Sequence, residues 1–423
     1  MKPISSKFEK IGTENAFAVG PEIGAWEKKG YDIVRVNIGE PSSNIPLAST
    51  KAMLKSVKNH ETHYCASAGI DSLREEIAKY LSVTRKVKYE AKNIAMAPGG
   101  KPVISGTMFI LVEPGDEVIY PTPGYPIYES MVNFIGAKAV PIVLKEEKGF
   151  RFDIKELKRL VNKKTKLVII NSPSNPTGGV LNKEDYKEIA KLAKKYDFYI
   201  LADEIYSRIV FDKKMRKVNY SGSCFHVSDS IVDQPGMAKR TVILDGFSKT
   251  YAMTGLRLGY AASKIPLFTD KFVNLAINIW SNLPVPCMKA AEAALKSSQV
   301  ETQKDIALYE KKRDVVVKGL NSIKGIKCHN PIGSFYLFPN VTEACKNLKL
   351  KNAEALRKYL LTYDKKNKKG VAVLVRMHFG KRLANEKEEY IRLSIAGSME
   401  SLKEAVKRIK IAVEERLSIN TGS

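Results

Sequence analysis

The sequence predicts an α/β protein in which a mostly parallel sheet flanked by helices is followed by a smaller α+β domain. Through the centre of the chain, short apolar runs alternate with helical patterns, which is typical of a parallel sheet with crossover helices. After about residue 290, long helical stretches surround separate strand-like segments. The length of 423 residues also favours more than one core. We therefore expect two domains of different architecture.

The central part of the chain begins with a predicted helix. Ser72 and Glu75 match the capping-box pattern, in which two side chains bond to backbone amides at a helix start. The apolar residues of this helix that share one face are Leu73, Ile77 and Leu81. The runs that predict strands come after it, at 116–121, 166–173, 198–204 and 241–246.

A second helix is predicted between the strands 166–173 and 198–204. Asn182 suits the N-cap of this helix, and Tyr186, Ile189 and Ala193 fall on one face of the segment that follows. A strand, a helix and a second strand in this order form a βαβ unit, whose strands are parallel. This unit is the local basis for the predicted sheet.

The last third of the chain predicts the smaller domain. Its predicted helices are 290–320, 353–361 and 399–417, its predicted strands are 334–338, 370–375 and 390–395, and the lysine-rich run 364–369 is a surface loop. We therefore divide the chain into an N-terminal arm with part of the small domain (1–48), a large domain (49–290) and a small C-terminal domain (291–423).

Composition excludes several classes of protein. The hydrophobic fraction of 44% and charged fraction of 27% are those of a globular protein. No apolar stretch is long enough to span a membrane, and the first residues lack the apolar centre of a signal peptide, so we expect a cytoplasmic protein. The five cysteines are scattered and form no CxxC pair, which indicates reduced thiols.

The net charge of +25 could indicate nucleic-acid or membrane binding. Its lysines lie on separate segments without a groove-binding motif, so we expect neither partner. His60 and His63 have the spacing of metal ligands, but no carboxylate or cysteine completes a site, and we predict no metal.

Chemistry-bearing residues follow the predicted strands, where ligands bind in an open parallel sheet. Gly99 and Gly100, followed by Lys101 and Pro102, can cradle a phosphate at a helix N-terminus, although an ordinary turn also explains so short a motif. Tyr125 is placed to cover a planar ring, or simply to pack.

Three later strands also end in polar residues. Turn formers after 166–173 present the Asn175 amide. The strand 198–204 delivers Asp203 into a poorly solvated place, where a carboxylate needs a partner or a proton. Lys249 follows 241–246 and precedes Arg257; a desolvated lysine is a candidate Schiff-base nucleophile, and arginine suits a phosphate.

Together these motifs resemble those of the class I/II aminotransferases, pyridoxal phosphate enzymes of fold type I with an aspartate aminotransferase-like fold. The likeness runs from Asn37 to Ala396 with the motifs in family order: N-P-T-G at 175–178, D-E-x-Y at 203–206 and S-K-x(5)-G-x-R at 248–257. The combined pattern is highly specific, whereas each motif alone is weak.

The resemblance implies a role for each matching residue. Lys249 would hold the cofactor, pyridoxal 5'-phosphate, as a Schiff base and, once released by substrate, would move a proton. Asp203 would pair with the protonated pyridine nitrogen and keep the ring an electron sink. Asn175 and Tyr206 would bond to the phenolic oxygen, and Tyr125 would stack on the ring. The predicted catalytic residues are thus Lys249, Asp203 and Tyr206.

The resemblance also implies how phosphate and substrate are held. The residues at the phosphate would be Gly99, Gly100, Lys101, Ser248 and Arg257. Tyr64 matches a tyrosine that reaches the phosphate of the neighbouring subunit, which implies a homodimer. The substrate-binding residues would be Gly39, Lys101, Asn175 and Arg392. Taken singly, Gly39 is better explained as a turn, Ser248 as a helix cap and Arg392 as part of a surface ion pair; their joint order favours the functional interpretation.

Departures from the family pattern concern the substrate more than the reaction. Tyr125 stands where tryptophan is common, and Gly246 replaces a hydroxyl residue that can contact the phosphate. The segment 373–380 lacks the usual proline and glycine of a loop that borders the substrate, and its Arg376 could select acidic substrates. The segment 213–236 is interpreted as an inserted loop.

The predicted function is the transfer of an amino group from an α-amino acid to a 2-oxo acid by two half-reactions. Lys101 resembles a lysine that contacts the side-chain carboxylate in one aspartate aminotransferase subgroup, so aspartate or glutamate is the leading donor and 2-oxoglutarate the leading acceptor. Aromatic, alanine-like and diaminopimelate-type substrates stay open. The alternatives are a β-lyase of the same fold and a ligand-binding regulatory protein, which would carry an added DNA-binding module.

Overall fold

The computed structural model describes residues 4–12 and 19–421. The strands within them are β1 (Asp32–Arg35), β2 (Ile94–Ala97), β3 (Glu117–Thr122), β4 (Lys138–Val143), β5 (Thr165–Asn171), β6 (Tyr199–Asp203), β7 (Arg216–Tyr220), β8 (Ser223–Val227), β9 (Thr241–Gly246), β10 (Gly259–Ser263), β11 (Tyr336–Leu337), β12 (Lys369–Ala372), β13 (Leu374–Val375) and β14 (Ile391–Ser394). The helices are α1 (Gly20–Lys28), α2 (Leu47–Lys58), α3 (Asp71–Arg85), α4 (Gly100–Leu111), α5 (Ile127–Phe134), α6 (Ile154–Leu160), α7 (Lys183–Tyr196), α8 (Phe268–Ile279), α9 (Val285–Lys296), α10 (Val300–Asn321), α11 (Thr342–Asn347), α12 (Ala353–Leu361) and α13 (Met399–Thr421).

A mostly parallel sheet forms the centre of the molecule. Its strand order is β2-β10-β9-β6-β5-β3-β4. The strands from β4 to β9 in this order pair in parallel, whereas β10 runs antiparallel to both β9 and β2. The α/β fold class predicted from the alternating pattern is confirmed. Each of the four predicted strands is present, and β9 occupies the predicted residues 241–246.

Helices cover both faces of this sheet, which explains why its strands are continuous apolar runs. No residue of β3 or β9 is exposed. Alternate residues of β5 enter different cores: Val168 belongs to the same cluster as Leu73 of α3, whereas Leu167 belongs to the cluster of Val103 in α4. The predicted N-cap of α7 is also confirmed, because the Asn182 side chain accepts a hydrogen bond from the Asp185 amide.

The predicted capping box at Ser72 is wrong, although the helix is present. Helix α3 begins at Asp71, and no side chain caps it. The hydroxyl of Ser72 instead donates to the Glu292 carboxylate of α9 at 2.8 Å. The predicted inner face of the helix is confirmed, because Leu73, Ile77 and Leu81 are fully buried.

The segment 213–236 contains an ordered hairpin and is not an irregular loop, whereas its being an insertion stays a prediction. Strands β7 and β8 pair antiparallel within it. The hydroxyl of Tyr220 donates to Glu76 of α3, and Arg216 donates to the Thr84 carbonyl of the same helix at 2.8 Å. These contacts fasten the hairpin to the helix layer of the sheet.

The C-terminal part has the predicted mixture of helices and short strands. β14 lies between β11 and β13 and pairs antiparallel with both, whereas β1 pairs in parallel with β12. The single helix predicted over 290–320 is wrong, because α9 and α10 are separate helices. The helix predicted over 353–361 is α12, and 399–417 lies within α13.

The division into 1–48, 49–290 and 291–423 stays a prediction. Helix α9 crosses its boundary at residue 290, and buried residues of α9 on both sides of that boundary, Ala290 and Leu295, belong to the core cluster of the large sheet. In the part of the chain that the structure describes, no helix is long and apolar enough to cross a membrane. The five cysteines are free thiols, and Cys328 and Cys345 are buried.

Candidate active site

The candidate active site begins where three neighbouring parallel strands end. Asn171, Asp203 and Gly246 are the last residues of β5, β6 and β9. Asn171 and Asp203 are direct register partners, and β6 is hydrogen-bonded to β9 on its other side. The strand order therefore brings the loops that carry Asn175, Asp203 and Lys249 to one edge of the sheet.

Asp203 is a buried carboxylate with hydrogen-bond donors on both oxygens. The Tyr128 hydroxyl donates to Oδ2 at 2.5 Å, and the Ile205 amide donates to Oδ1 at 3.4 Å. Burial raises the pKa of Asp203 to about 6, although the Tyr128 hydrogen bond acts in the opposite direction. Within residues 4–12 and 19–421, Asp203 forms no ion pair within 4.0 Å. This carboxylate is therefore suited to a cationic ligand.

Lys249 lies three residues beyond β9 and points toward the N-terminal part of the chain. Its Nζ donates a hydrogen bond to the Gly39 carbonyl at 2.7 Å. Gly39 leaves no room for a side chain, because an added Cβ would lie 1.8 Å from the Tyr336 hydroxyl oxygen. The two residues that the sequence assigned to cofactor and substrate are thus in direct contact.

A pair of buried phenols lies beside this contact. The hydroxyls of Tyr206 and Tyr336 are 3.0 Å apart, and each residue is 3% exposed. Burial raises the pKa of Tyr206 well above its ordinary value. The Tyr206 phenol therefore keeps its proton at neutral pH and can serve as a hydrogen-bond donor.

Arg392 connects the two phenols to the loop that carries Asn175. It is 3% exposed, and its Nη1 donates to Asn175 Oδ1 at 3.2 Å. Its Nη2 donates to the Asn37 carbonyl, and its guanidinium carbon lies 4.4 Å from the centre of the Tyr336 ring. Asn171 supports this arrangement, since its Oδ1 accepts a hydrogen bond from the backbone N–H of Asn175 at 2.8 Å. The alternative of a surface ion pair for Arg392 is wrong.

The glycine loop before α4 forms a cradle against Arg257. Gly99 has φ of +91°, and an added Cβ there would lie 2.3 Å from Arg257 Nη2. Gly259 on β10 allows the loop to approach, because its own Cβ would lie 2.7 Å from the Gly99 carbonyl carbon. The first amides of α4, at Gly100 and Lys101, follow directly and have no partner within the helix. Backbone donors and a guanidinium thus meet at one helix N-terminus, which suits an anion.

The other predicted site residues lie around this frame. Lys101 is exposed on the first turn of α4, and Ser248 is half-buried next to Lys249. The Tyr125 ring packs edge-on against Tyr128 at 5.8 Å. Tyr64 is 91% exposed, so its side chain packs against almost nothing in its own chain.

The sequence profile of the aminotransferase class I and II family matches residues 31–409. The chain belongs to this family. An aspartate aminotransferase of Bacillus subtilis (strain 168) is 31% identical to this aminotransferase over 412 residues, 97% of this chain and 99% of that protein.

Solved structures of aminotransferases have the same fold as this chain. The aspartate aminotransferase from Rhizobium meliloti is similar with a TM-score of 0.87 and 28% identity, covering 98% of this chain and 99% of that chain. The aromatic aminotransferase from Pyrococcus horikoshii OT3 is similar with a TM-score of 0.82 and 30% identity, covering 93% and 99%. The protein is a pyridoxal phosphate-dependent aminotransferase with the aspartate aminotransferase-like fold, as the sequence predicts.

The residues of this aminotransferase fit pyridoxal phosphate. The cradle of Gly99 and Arg257 would be filled by a Cβ and is lined by donors, which suits the phosphate. The buried Asp203 carboxylate suits a pyridinium nitrogen, and the Lys249 amine suits an aldehyde. Among the described residues, no group of three or more His, Cys, Asp or Glu side chains could hold a metal ion.

Sequence reasoning missed several residues that hold the site together. Tyr128 carries no signal beyond its position three residues after Tyr125, which places the two on adjacent turns. Tyr336 lies in a segment identified only as a strand, and both of its neighbours are buried too, so alternation could not single it out. Asn37 and Asn171 contribute backbone or amide oxygens that only the fold brings near Arg392 and Asn175.

Two departures from the family pattern receive a physical explanation. Gly246 pairs with Gly259, and an added Cβ would lie 2.8 Å from the Leu258 carbonyl oxygen, so a hydroxyl side chain has no room there. The prediction that Arg376 is a cation for acidic substrates is wrong. Arg376 is 1% exposed and bonds to Glu386, Thr122 and backbone carbonyls.

Proposed function

We propose that this aminotransferase moves the amino group of aspartate or glutamate to a 2-oxo acid such as 2-oxoglutarate. The observation that carries the proposal is that a buried guanidinium and the reactive amine bond to the same short segment: Arg392 donates to the Asn37 carbonyl and to Asn175, and Lys249 donates to the Gly39 carbonyl. An α-carboxylate is common to all α-amino acids and 2-oxo acids, and arginine binds a carboxylate through two parallel hydrogen bonds.

A second carboxylate would be bound by Lys101. This lysine is exposed on the first turn of α4, where the helix dipole adds to its positive charge. The aspartate aminotransferases of Bacillus subtilis and Rhizobium meliloti support the same substrate class. The aromatic aminotransferase of Pyrococcus horikoshii shows that this fold also serves other side chains, so the substrate class requires a direct test.

Pyridoxal phosphate, when bound, supplies an aldehyde that joins an amine and a ring that withdraws electrons from it. Lys249 Nζ, which now donates to the Gly39 carbonyl, would hold the transferred proton once it is free of the cofactor. Asp203 is a buried carboxylate, and its negative charge would act on a ring nitrogen more strongly than it would in water. Tyr206 and the Asn175 side-chain amide would donate to the phenolic oxygen, and Tyr125 would stack on the ring.

The phosphate would be held by Gly99, by the backbone amides of Gly100 and Lys101, and by Ser248 and Arg257. The Arg257 guanidinium is already held in place, because Nη1 donates to the Thr254 carbonyl at 2.9 Å and Nη2 donates to the Pro98 carbonyl, just before the glycines, at 3.4 Å. It is therefore oriented before the anion arrives, which lowers the entropy cost of binding.

We also propose that the enzyme is a homodimer in which Tyr64 reaches the neighbouring site. Tyr64 is 91% exposed, and other large apolar side chains are exposed as well: Leu54, Val57, Ile277 and Ile279. Leu54 and Val57 lie one turn apart on α2, and adjacent exposed apolar side chains are a feature of surfaces between subunits. The cytoplasmic location inferred from the sequence stays a prediction.

A screen of donors and acceptors on the purified enzyme tests the function. Aspartate is compared with alanine, phenylalanine and diaminopimelate, each with 2-oxoglutarate as acceptor, and glutamate is tested with oxaloacetate as acceptor, while the visible absorption of the cofactor is recorded. We expect the dicarboxylates to give the highest kcat/KM and keto acid as the product. Release of ammonia or thiol instead would indicate a β-lyase.

Lys249→Ala is the decisive variant for this screen, because it removes the amine that would bond to the cofactor. We expect loss of the Lys249-dependent absorption band and of turnover. The control is Lys264→Ala, a half-buried lysine that donates to the Lys88 carbonyl away from the site. Equal activity of wild type and Lys249→Ala would overturn the proposed function.

A further inference from the structure

One buried arginine holds the segment in which this enzyme departs from the family pattern. Arg376 is 1% exposed, and its Nε and Nη2 bond to the two oxygens of Glu386 at 2.8 and 2.9 Å. Its Nη2 also donates to Thr122 Oγ1 at 2.7 Å. Thr122 is the last residue of β3 in the large sheet, so this guanidinium links two distant parts of the chain.

The same guanidinium also bonds to the backbone of the turn that follows Arg376. It donates to three successive backbone carbonyls, those of Phe379 at 3.3 Å, Gly380 at 3.1 Å and Lys381 at 3.2 Å. A proline and glycine in a loop set its path through their own backbone preferences. Here, hydrogen bonds from one side chain set that path instead.

The turn is also bonded to the segment on either side of Tyr125. The Gly124 amide donates to the Phe379 carbonyl at 3.0 Å, and the Thr122 hydroxyl donates to the Lys381 carbonyl at 2.9 Å. The Lys381 amide donates to Glu129 Oε2 at 2.7 Å. We call the segments 122–129 and 376–386, together with these bonds, the arginine clamp.

The clamp ends at the residue that would bind substrate. Phe379 is 2% exposed, and its ring centre lies 5.1 Å from the Arg392 guanidinium carbon. Tyr336 lies 4.4 Å from the same carbon, so two aromatic rings hold this guanidinium. Cation–π contacts of this kind orient a cation.

We propose that Arg376 is a positioning residue for the substrate carboxylate. Its own charge is neutralised by Glu386, and its donors are occupied within the clamp, so it acts through Phe379 on Arg392 and through Thr122 on the segment of Tyr125. The inference rests on the proposed function in one respect, namely that Arg392 binds the carboxylate.

Hydrogen–deuterium exchange of the holoenzyme tests the clamp without any substrate. Arg376→Lys keeps the charge but removes the fork that bonds to Glu386 and Thr122 together. We expect faster exchange in both 122–129 and 376–386. Thr122→Val removes the hydroxyl at nearly constant volume and should give the same result. The matched control is Arg408→Lys, since Arg408 is 4% exposed and also bonds to two carboxylates and to backbone carbonyls, far from these segments.

Steady-state kinetics then tests the positioning role. The KM values of amino donor and 2-oxo acceptor should both rise, by roughly 2- to 30-fold, because both carry the α-carboxylate. The kcat should fall by a smaller factor than either KM rises. Arg408→Lys should lower thermal stability without raising either KM.

Each outcome has a distinct meaning. Faster exchange in 376–386 alone would overturn the clamp. Faster exchange in both segments with unchanged KM values would overturn the positioning role of Arg376. A wild-type enzyme that fails to transaminate would overturn the proposed function, whereas the exchange result would still decide whether the clamp exists.

Discussion

At the scale of single residues, the Tyr206 and Tyr336 phenols form the most constrained contact in the site. Two hydroxyls 3.0 Å apart share one hydrogen bond, so one proton is used between them and one is left for another acceptor. The Arg392 guanidinium lies over the Tyr336 ring, which fixes that ring in turn. The position of the Tyr206 donor therefore depends on a residue that has no motif of its own.

Tyr336→Phe should lower kcat about fivefold, since one hydrogen bond of about 1 kcal/mol no longer orients the Tyr206 hydroxyl. The pH titration of the cofactor's visible absorption should shift, because that hydroxyl is the proposed donor to the phenolic oxygen. Tyr359→Phe is the matched control: its hydroxyl donates to the Ala412 carbonyl at 2.9 Å, remote from the site. An unchanged titration in Tyr336→Phe would contradict this role.

At the scale of elements, the loop before α4 and strand β10 meet without room for a single methyl group. An added Cβ at Gly99 would approach Arg257 Nη2 to 2.3 Å, and one at Gly259 would approach the Gly99 carbonyl carbon to 2.7 Å. Both lie far below normal van der Waals contact. The close packing of these two elements is what brings a guanidinium to the N-terminus of a helix.

Gly99→Ala should weaken cofactor binding by roughly tenfold or more, because the methyl group displaces Arg257 and the backbone at φ of +91° is strained for alanine. Equilibrium dialysis of the enzyme against pyridoxal phosphate measures this affinity. Gly115→Ala separates the two causes: its φ is +94°, but nothing lies within 4 Å of the added methyl. Equal affinities in the two variants would show that the contact with Arg257 does not matter.

Elements whose stability is local could be predicted from the sequence. Strand β9 has the predicted bounds because its apolar run ends at a glycine, and α7 begins where Asn182 caps it. The capping box at Ser72 failed because a tertiary partner, Glu292, takes the hydroxyl. The break between α9 and α10 was missed for the same reason: the Gln299 side chain donates to carbonyls of Ala294 and Ser297 at the end of α9.

For the site, too, only the features that depend on local sequence and sheet topology could be predicted. Residues that directly follow a strand were found, because sheet topology alone brings them together. Their supports come from elsewhere: Tyr128 from α5 holds Asp203, and Arg376 holds Thr122 at the end of β3. No spacing in the sequence relates these pairs, whose members are 75 and 254 residues apart.

At the scale of the whole molecule, a buried ionic cluster connects α3 to the ends of β6 and β9. Arg85 of α3 is fully buried and pairs with Glu204 at 2.6 Å and with Asp245 at 3.7 Å. Ser230 donates to the second Glu204 oxygen. Two carboxylates thus share one guanidinium, and burial raises the pKa of Asp245 to about 7 although Arg85 opposes the shift.

Asp245→Asn should make the enzyme's stability less sensitive to pH. The pKa of Asp245 is raised from 3.8 to about 7, so the folded wild type binds a proton that the unfolded chain has lost, and its stability falls as pH rises through this window. The change is about 4 kcal/mol at most, at about 1.4 kcal/mol per pKa unit. Denaturant unfolding at pH 5 and pH 8 should therefore favour the variant at the higher pH; a pH-independent difference would refute this linkage.

Mixed dimers test whether each site is completed by the other subunit. Tyr64→Ala alone should lower activity, because it removes the proposed contact with the phosphate of the neighbouring subunit. The fold of its own chain should be little affected, since Tyr64 is 91% exposed. If Tyr64 acts across the interface, a hybrid of Tyr64→Ala and Lys249→Ala subunits has one fully intact site, formed by Lys249 of one chain and Tyr64 of the other.

Random reassociation makes half of the dimers hybrids, so about one quarter of wild-type activity should return on mixing two impaired proteins. If Tyr64 acted within its own chain, every site would carry one of the two changes, and mixing would only average the parent activities. Refolding the two variants together and apart at equal total concentration distinguishes these results. Restoration also requires that the two variants form mixed dimers. Co-purification of differently tagged chains measures this mixing. The same experiment therefore tests both the dimer and whether Tyr64 acts on its own site or on that of its neighbour.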